Sequence, residues 1–238
     1  MVKVAIITAR GGSKRIPKKN IKDFCGQPVI SYSIAAAIES QLFDEVMVST
    51  DSEEIAQMAK KYGAAVPFLR SAAASDDHAT TADVLQEVLT SYETVGRQFD
   101  LMCCLYPTAP FVTAEKLRAA HDAFLKSGAD MLEPVVAFSF PPQRSFSLRD
   151  GFLTYNWPEH MRTRSQDLEP WYHDAGQFYF YQVSAFQRSL RKGGARGGYD
   201  LRCAPFLLDE MEVQDIDNPL DWLLAEAKYR LLKERGRV

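Results

Sequence analysis

Two strand-then-helix units follow one another in the first 63 residues, and this alternation leaves few folds open to the chain. Residues 4–7 form a short β-branched run that predicts a central strand, and Pro28 suits the first turn of the helix that follows. Residues 45–49 predict a second strand, and a Thr-x-x-Glu capping box at residues 50–53 predicts a second helix that ends near Gly63. Repeated units of this kind predict parallel strands with right-handed crossovers, and therefore a doubly wound, mostly parallel, Rossmann-like α/β fold.

The loop between the first strand and helix, residues 8–20, has the sequence TARGGSKRIPKKN, in which five of thirteen residues are Arg or Lys. Its adjacent glycines, Gly11 and Gly12, allow tight turns and bring backbone N–H groups close to an oxygen-rich ligand. The pattern is neither a Walker A loop nor a dinucleotide fingerprint. Because open α/β sheets bind ligands beyond the carboxyl ends of their strands, the loop predicts a polyanion site rather than a solvated turn.

Composition restricts the partners of the chain. Its 238 residues carry a net charge of −3, so the cations of the loop are a local concentration on a mildly acidic protein, and nucleic acid is not an expected partner. The four cysteines contain no C-x-x-C pair, which argues against disulfides and structural zinc. The first apolar segment is too short for a signal peptide or a membrane span. We expect a cytoplasmic protein that does not enter the membrane.

The remainder of the chain continues the α/β pattern. Thr80 or Thr81 and Thr113 are expected to cap helices, the second of which ends near Gly128. Residues 192–198, KGGARGG, predict a flexible turn. Further strands are predicted at residues 66–69, 101–106, 131–138 and 177–181, and a further helix at 183–191.

One long segment interrupts the pattern. Between residues 139 and 174 the periodicity disappears, the chain becomes rich in Pro, Arg and aromatic residues, and only residues 152–155 indicate a short strand. This length exceeds the usual connection in a compact domain and predicts a functional lid or an interaction arm. We therefore interpret residues 1–238 as a single domain with an insertion at 139–174.

The last helix and the residues before it complete the set of motifs. Asn218 is expected as N-cap, with Pro219 in the first turn. Directly before it stand Asp215 and Asp217, whose carboxylates would lie about 6 to 7 Å apart on one face of an extended chain, close enough to hold a hard cation such as Mg²⁺. In a structural interpretation, Asp217 only assists the cap and Asp215 faces solvent. The apolar residues expected to be buried by this helix are Leu220, Leu223, Leu224, Ala227 and Leu231.

Nucleotidyl transfer depends mainly on positioning and charge neutralisation. Its minimum requirements are a cationic glycine-containing loop for the phosphates and a carboxylate pair for a divalent ion, and the sequence contains both. Two other classes share parts of these requirements. A metal-dependent glycosyltransferase also uses an Asp-x-Asp motif, but it expels no pyrophosphate and has no need of the cationic loop. A nucleotide-binding protein without turnover is the second alternative.

The motifs also carry a resemblance in their order along nearly the whole chain. They are ARGGSKRIPKKNI, STD after the second strand, an ASD loop, YPTAP, and DID before the final helix. Together they resemble the cytidylyltransferase family of CMP-sugar synthetases for nonulosonic acids, which includes the sialic acid and Kdo enzymes. Within that family, the segments HMRTRSQDL and YHDAGQ are most similar to the branch that activates pseudaminic acid, while branches using sialic or legionaminic acid are the alternatives.

The resemblance implies a nucleotidyltransferase fold, also described as GT-A-like, and a reaction of CTP with a nine-carbon sugar acid, assisted by Mg²⁺. It implies that Arg10, Lys19 and Asp217 are catalytic and that Asp215 and Asp217 hold the metal. Arg15 and Lys18 are interpreted as solvated charge. The implied nucleotide-binding residues are Thr8, Ala9, Arg10, Gly11, Ser13, Lys19, Asn20, Arg70, Ala74 and Ser75.

The sugar site is implied less directly. Tyr106 replaces the glutamine that is typical of the sialate branch, which argues against sialic acid, although the same aromatic ring could close the core of its strand. Thr108 and Gln177 are further sugar contacts by position. Arg162 and Arg164 are suited to bind the sugar carboxylate, because guanidinium binds carboxylate with two hydrogen bonds. In the family the insertion packs against a second subunit, so the resemblance implies a homodimer with residues 139–174 as its dimerisation arm.

Overall fold

A central sheet with helices on both faces organises the chain in the computed structural model, which describes residues 1–192 and 200–238. The strands are β1 (Lys3–Thr8), β2 (Asp23–Phe24), β3 (Gln27–Pro28), β4 (Glu45–Ser49), β5 (Leu101–Leu105), β6 (Met131–Ala137), β7 (Phe146–Arg149), β8 (Phe152–Tyr155), β9 (Tyr172–Asp174), β10 (Phe178–Gln182) and β11 (Cys203–Leu207). The α-helices are α1 (Val29–Ser40), α2 (Glu53–Lys61), α3 (Thr81–Thr94), α4 (Ala114–Ser127), α5 (Val183–Arg191) and α6 (Pro219–Glu234).

The strand order of the central sheet is β11-β6-β10-β5-β1-β4, and β9 pairs with β6 beside this path. Strand β1 runs parallel to both β4 and β5, and β11 runs parallel to β6, whereas β10 and β9 are antiparallel to their neighbours. The predicted doubly wound, mostly parallel fold is therefore confirmed. Its consequence for function is that β1, β4 and β5 end at the same edge of the sheet.

The core lies on both faces of that sheet. Along β1, Ala5 and Ile7 pack in one apolar cluster with α1 and α4, while Val4 and Ile6 pack in a second cluster with α3. All four are fully buried. Burial on both faces explains why the strand is a continuous apolar run rather than an alternating one.

Helix termini agree with most of the sequence predictions. Thr80 accepts from the backbone N–H of Asp83 in a reciprocal capping box, and Asn218 does the same with Asp221. Thr113 caps α4, which ends at Gly128 with a positive φ of 61°. None of the helices in the described residues combines the length and apolar character needed to cross a membrane.

Several predicted local features were wrong. Residues 66–69 form no strand, and only one isolated bridge joins Ala65 to Met47 at the edge of β4, because Pro67 lacks the N–H that a ladder needs. Helix α2 is capped by Ser52 rather than by Thr50. Strands β2, β3, β9 and β11 were not predicted. The predicted turn at residues 192–198 is not among these wrong predictions, because Lys192 ends α5 and residues 193–198 lie outside the described residues.

The buried face of α6 also differs from the prediction. The helix buries Trp222, Ala225, Tyr229 and Leu232, while the leucines expected inside, Leu220, Leu223, Leu224 and Leu231, are exposed together with Ala227. The reason is aromatic packing. Phe24 meets Trp222 and Tyr229 edge to face at centroid distances of 5.6 and 5.4 Å, which buries larger surfaces than the leucines offer.

The insertion contains a hairpin of which only the second strand was predicted. Strands β7 and β8 pair antiparallel around Asp150 and Gly151, which both have positive φ. Phe146 and Leu148 share one hairpin face with their cross-strand partners Tyr155 and Leu153. Leu148 and Leu153 are 73% and 68% exposed, so this face has no cover in the described part of the chain.

Candidate active site

A cavity of about 490 Å³ lies at the edge where β1 and β5 end, between the loop after β1 and the segment before α3. Sequence-predicted residues form much of its wall. Those that line it are Thr8, Arg10, Ser13, Lys19, Asn20, Arg70, Ala74, Tyr106, Thr108 and Asp217. The predicted residues outside this wall are Ala9, Gly11, Ser75, Arg162, Arg164, Gln177 and Asp215.

The loop after β1 is held against the turn between β4 and α2. The backbone N–H of Gly11 donates to Asp51 Oδ1 at 2.7 Å, and that of Ala9 donates to the Ser49 carbonyl at 2.9 Å. A Cβ added at Gly11 would stand 3.1 Å from Ser52 Cβ, so the contact favours glycine there. The buried Asn20 amide closes the loop from inside by donating to the Arg10 carbonyl at 2.8 Å. Ala9, Gly11 and Asn20 thus shape the loop that presents the cations.

Lys19 approaches the final carboxylate motif. Its Nζ donates to the Ile216 carbonyl at 2.7 Å and lies 3.8 Å from Asp217 Oδ1. Burial lowers the pKa of the Lys19 ammonium, and the charges of Asp217 and Asp215 act in the opposite direction. A partly buried cation beside two carboxylates is a suitable partner for a phosphate chain with its metal ion.

Asp217 has a second cationic partner that the sequence interpretation missed. Arg15 Nη1 donates to Asp217 Oδ2 at 2.9 Å. Arg15 was interpreted as solvated charge, and the structure places it in the wall of the cavity instead. Lys18, the other cation interpreted in this way, pairs with Glu54 at 2.7 Å and does not line the cavity.

Asp77 is the carboxylate that faces the cationic loop from the opposite wall, and sequence reasoning did not select it. Arg10 Nη1 lies 3.0 Å from Asp77 Oδ1, and Lys14 Nζ lies 2.5 Å from Asp77 Oδ2. Hydrogen bonds from Lys14 and Arg10 lower the pKa of Asp77. The only available signal was its place in the polar loop at residues 70–81, opposite a loop that needs anions.

Arg70 lies at the base of the cavity and is 8% exposed. Its Nε donates to Ser49 Oγ at 3.0 Å, and its Nη2 donates to the Ser49 carbonyl at 2.6 Å. Burial lowers the pKa of the guanidinium. These bonds to the end of β4 fix the orientation of the planar group, as a binding site for a nucleotide requires. Ser75 bonds to the Ser71 carbonyl and shapes the same loop.

The pair Asp215 and Asp217 fits a divalent cation. Partial burial, followed by the charge of Asp217, raises the pKa of Asp215, so a bound cation would relieve their repulsion. Within residues 1–192 and 200–238 no group of three or more His, Cys, Asp or Glu residues is arranged to hold a metal ion. Two carboxylates match Mg²⁺, which proteins usually bind through one or two carboxylates together with substrate phosphates and water.

The predicted sugar residues are divided between the cavity and the surroundings. Tyr106 and Thr108 line it, and the Tyr106 ring packs against Tyr179 with centroids 5.5 Å apart. Gln177 is buried and donates to the Glu212 carbonyl at 2.5 Å. Arg164 is exposed and pairs with Asp167 at 2.8 Å, and Arg162 is exposed beside it. In the described part of the chain, Gln177, Arg162 and Arg164 do not line the cavity, so their contact with sugar stays a prediction.

Fold and site together define an α/β nucleotidyltransferase, and comparison with known proteins specifies the family. Residues 4–185 match the family model described as Cytidylyltransferase, and the chain belongs to this family. It is 46% identical to the pseudaminic acid cytidylyltransferase of Campylobacter jejuni serotype O:2, over 98% of this chain and 99% of that protein. It is 32% identical to the CMP-N,N'-diacetyllegionaminic acid synthase of Legionella pneumophila, over 97% of each.

A solved structure of CMP:2-keto-3-deoxy-manno-octonic acid synthetase complexed with CTP has a similar fold. Its TM-score with this chain is 0.68 at 19% identity, covering 98% of this chain and all of that one. At this identity the likeness concerns the fold alone. It agrees with the predicted nucleotidyltransferase architecture.

Proposed function

We propose that the protein transfers the CMP group of CTP to the anomeric hydroxyl of pseudaminic acid, giving the CMP-sugar and pyrophosphate. The observation that carries the proposal is the convergence of Arg10, Lys19 and Asp217 on one cavity, although Asp217 comes from the far end of the sequence. The choice of sugar is supported by the 46% identity with the Campylobacter enzyme, against 32% with the legionaminic acid synthase.

In this reaction the anomeric oxygen forms a bond to the α-phosphorus while the bond from that phosphorus to the bridging oxygen of the diphosphate breaks. Pyrophosphate leaves with the electron pair, and the hydroxyl proton passes to Asp217 or to solvent. Negative charge therefore increases on the oxygens of the leaving pyrophosphate. The cationic side chains of Arg10, Lys14 and Lys19 line the cavity and would stabilise this charge. Ser13 and Thr8 add hydroxyl groups to the same wall.

Asp215 and Asp217 would hold Mg²⁺, which would neutralise phosphate charge when bound. Arg70 and Ala74 also line the cavity and would surround the cytidine, with Arg70 held in place by its hydrogen bond to the Ser49 carbonyl at the end of β4. A protein that consumes CTP is proposed to act in the cytoplasm, where nucleoside triphosphates are made.

Incubation of the protein with CTP, Mg²⁺ and a panel of nonulosonic acids, with pyrophosphate release as readout, tests the proposal. We expect the highest kcat/KM with pseudaminic acid. Faster turnover of legionaminic or sialic acid would overturn the choice of sugar. Absence of pyrophosphate with every sugar would overturn the synthetase and leave a nucleotide-binding protein. Omission of Mg²⁺ in the same assay tests the metal requirement.

We further propose that the protein is a homodimer in which the insertion contacts the partner. The uncovered apolar face of the β7–β8 hairpin, Phe146, Leu148, Leu153 and Tyr155, supports this. An isolated two-stranded hairpin is at best marginally stable in water, and exposed apolar patches of this kind mark interfaces. In such a dimer Arg162 and Arg164 would be available to the sugar carboxylate in the partner's cavity.

A further inference from the structure

A second cavity, of about 640 Å³, opens beside the first on the other side of Tyr106. The two cavities share Tyr106, Thr80 and Thr81 as walls. The second cavity extends over the sheet, across side chains of β6, β10 and β11. A ligand whose reacting group lies in the first cavity could therefore place a substituent in the second.

One side of this second cavity is acidic. Asp174 and Glu133 both line it. Asp174 is already bonded, since Tyr179 Oη donates to its Oδ2 at 2.6 Å and the backbone N–H of Gly176 donates to its Oδ1 at 2.8 Å. Glu133 receives only a long contact from Cys203 Sγ at 3.8 Å, and in the described residues it has no cationic partner. Burial, followed by the charge of Asp174, raises the pKa of Glu133.

An unpaired, half-buried acceptor of this kind restricts what the cavity binds. A carboxylate or phosphate would be repelled by Glu133 and Asp174, so the cavity does not suit the acid group of the sugar or the nucleotide. An N–H donor suits it, because the half-buried Glu133 carboxylate accepts only the weak contact from Cys203 and has room for a stronger donor. Met131 lies two residues before Glu133 on the same face of β6, and Tyr181 is its neighbour on β10, so the lining next to the carboxylate is apolar and fits a methyl group beside the donor.

We propose that the second cavity binds an acylamino substituent of the sugar, with Glu133 accepting its amide N–H and the acyl methyl lying against Met131 and Tyr181. The ligand chemistry is that of a secondary amide on a nine-carbon sugar acid, a group that pseudaminic acid carries twice. Glu133 is then a specificity-determining residue, since a hydroxyl at the same place would leave the methyl pocket unfilled. Because this inference rests on the proposed function, its tests are performed with a protein that turns over pseudaminic acid.

The first test is Glu133→Gln, which keeps the shape of the side chain and removes its charge. We expect KM for pseudaminic acid to rise about three- to tenfold, because the glutamine amide oxygen still accepts the N–H but a neutral acceptor makes a weaker hydrogen bond than a carboxylate, with KM for CTP unchanged within twofold. Glu39→Gln, at an exposed site on α1, is the matched control and should change neither constant. If the wild type turns over pseudaminic acid and Glu133→Gln has the same KM for that sugar, the inference about the second cavity is overturned while the proposed function stands. Absence of wild-type turnover would overturn the proposed function.

The second test does not depend on activity and uses Cys203, an exposed cysteine that lines the cavity. Alkylation of Cys203 is followed by mass spectrometry at pH 9, because partial burial raises the pKa of this thiol to about 11. We expect pseudaminic acid with CDP, a nucleotide that has no pyrophosphate to release, to slow alkylation at least fivefold, and CDP alone to slow it less than twofold. Equal rates with and without sugar would overturn the inference. If the alkylation of Cys203 instead slows as the protein concentration rises, with or without sugar, the cavity would be assigned to contacts between subunits and the inference overturned.

Discussion

Arg15 Nη1 donates to Asp217 Oδ2 at 2.9 Å, across a separation of 202 residues in the sequence. Lys19 approaches the other oxygen of the same carboxylate at 3.8 Å. Asp217 thus connects the cationic loop to the segment before α6. In the proposed reaction this carboxylate would have to exchange at least one of these cationic partners for the metal ion.

Replacement of Asp217 by Asn should remove most turnover and leave the fold intact. The variant keeps the side-chain shape but loses the charge needed for the proposed metal site, and we expect kcat to fall about 100-fold or more. Circular dichroism and thermal unfolding check the fold. Asp122→Asn, at an exposed position on α4, is the control. A near-normal kcat in Asp217→Asn would exclude this residue from the metal site.

Replacement of Asp77 by Asn should strengthen CTP binding. Asp77 pairs with Arg10 and Lys14, which the triphosphate is proposed to contact, so the nucleotide has to displace this carboxylate. Exposed ion pairs such as these are weak, and we therefore expect KM for CTP to fall only about two- to tenfold. Glu54→Gln removes the partner of Lys18, which does not line the cavity, and should leave KM unchanged. A rise in KM in Asp77→Asn would instead make Asp77 part of the binding site.

The decline of activity at alkaline pH should follow the deprotonation of the Lys19 ammonium. Burial lowers its pKa from the ordinary value of 10.5, so the free enzyme loses this proton at a lower pH than an exposed lysine would. We expect kcat/KM for CTP to decline with an apparent pKa below 10.5. In Lys19→Arg the guanidinium remains charged, and the decline should move to higher pH even if the absolute rate is reduced. If kcat/KM for CTP declined with the same apparent pKa in the wild type and in Lys19→Arg, the decline could not be assigned to Lys19.

Replacement of Asp215 by Asn should stabilise the metal-free protein and remove its response to Mg²⁺. The folded state raises the pKa of Asp215 above 3.8, so the ionised form disfavours folding above the folded pKa, and this cost disappears as the pH falls through it. At neutral pH the variant lacks the cost. Because Asp215 is only partly shielded from solvent, we expect a gain of under about 1 kcal/mol in the free energy of unfolding, which corresponds to a Tm increase of about 2–4 °C at most.

The wild type should gain thermal stability on addition of Mg²⁺ with CTP, and Asp215→Asn should gain little beyond the effect of CTP alone. Differential scanning fluorimetry measures both increments. A Tm for metal-free Asp215→Asn below that of the wild type would show that the carboxylate stabilises the fold, contrary to the expected sign.

If the protein forms the proposed dimer, a substitution on the β7–β8 hairpin should affect both dimerisation and turnover. Leu148→Asp places a charge on the apolar face of β7, and we expect monomers by analytical ultracentrifugation and a large loss of turnover with CTP binding retained. Thr154→Asp is the matched control, because Thr154 lies on the opposite face of the same hairpin. Dimers in Leu148→Asp at micromolar concentration would move the interface elsewhere.

The order of strands and helices was predictable because it depends on local periodicity and caps, as for α5, whose bounds agree with the prediction. The face of α6 was not predictable in this way. Its leucines satisfy the helical spacing, but Trp222 and Tyr229 occupy the core instead. They do so because Phe24, far away in sequence, packs edge to face against both rings. Strand β7 had a readable signal, since Asp150-Gly151 between alternating apolar residues is typical of a hairpin.

In the site, the cations and carboxylates were identified from their residue types, whereas their pairing was not. Arg15 and Lys18 look equivalent in the sequence, and only the path of the loop directs Arg15 to Asp217 and Lys18 to Glu54. The same holds for Asp77 and Glu133. Each acquires its role from neighbours on other elements, which single-sequence periodicity does not report.

The closure of the cationic loop by Asp217 has a consequence for the order of folding. Contacts between residues so far apart in sequence carry a high loop-closure cost and usually form after local structure. Strands β1 and β4, joined by a single crossover through residues 9–44, can pair while the loop still lacks its carboxylate partner. During refolding, helical circular dichroism should therefore recover before the ability to bind CTP, and a chain caught between these stages would have its sheet but no active site.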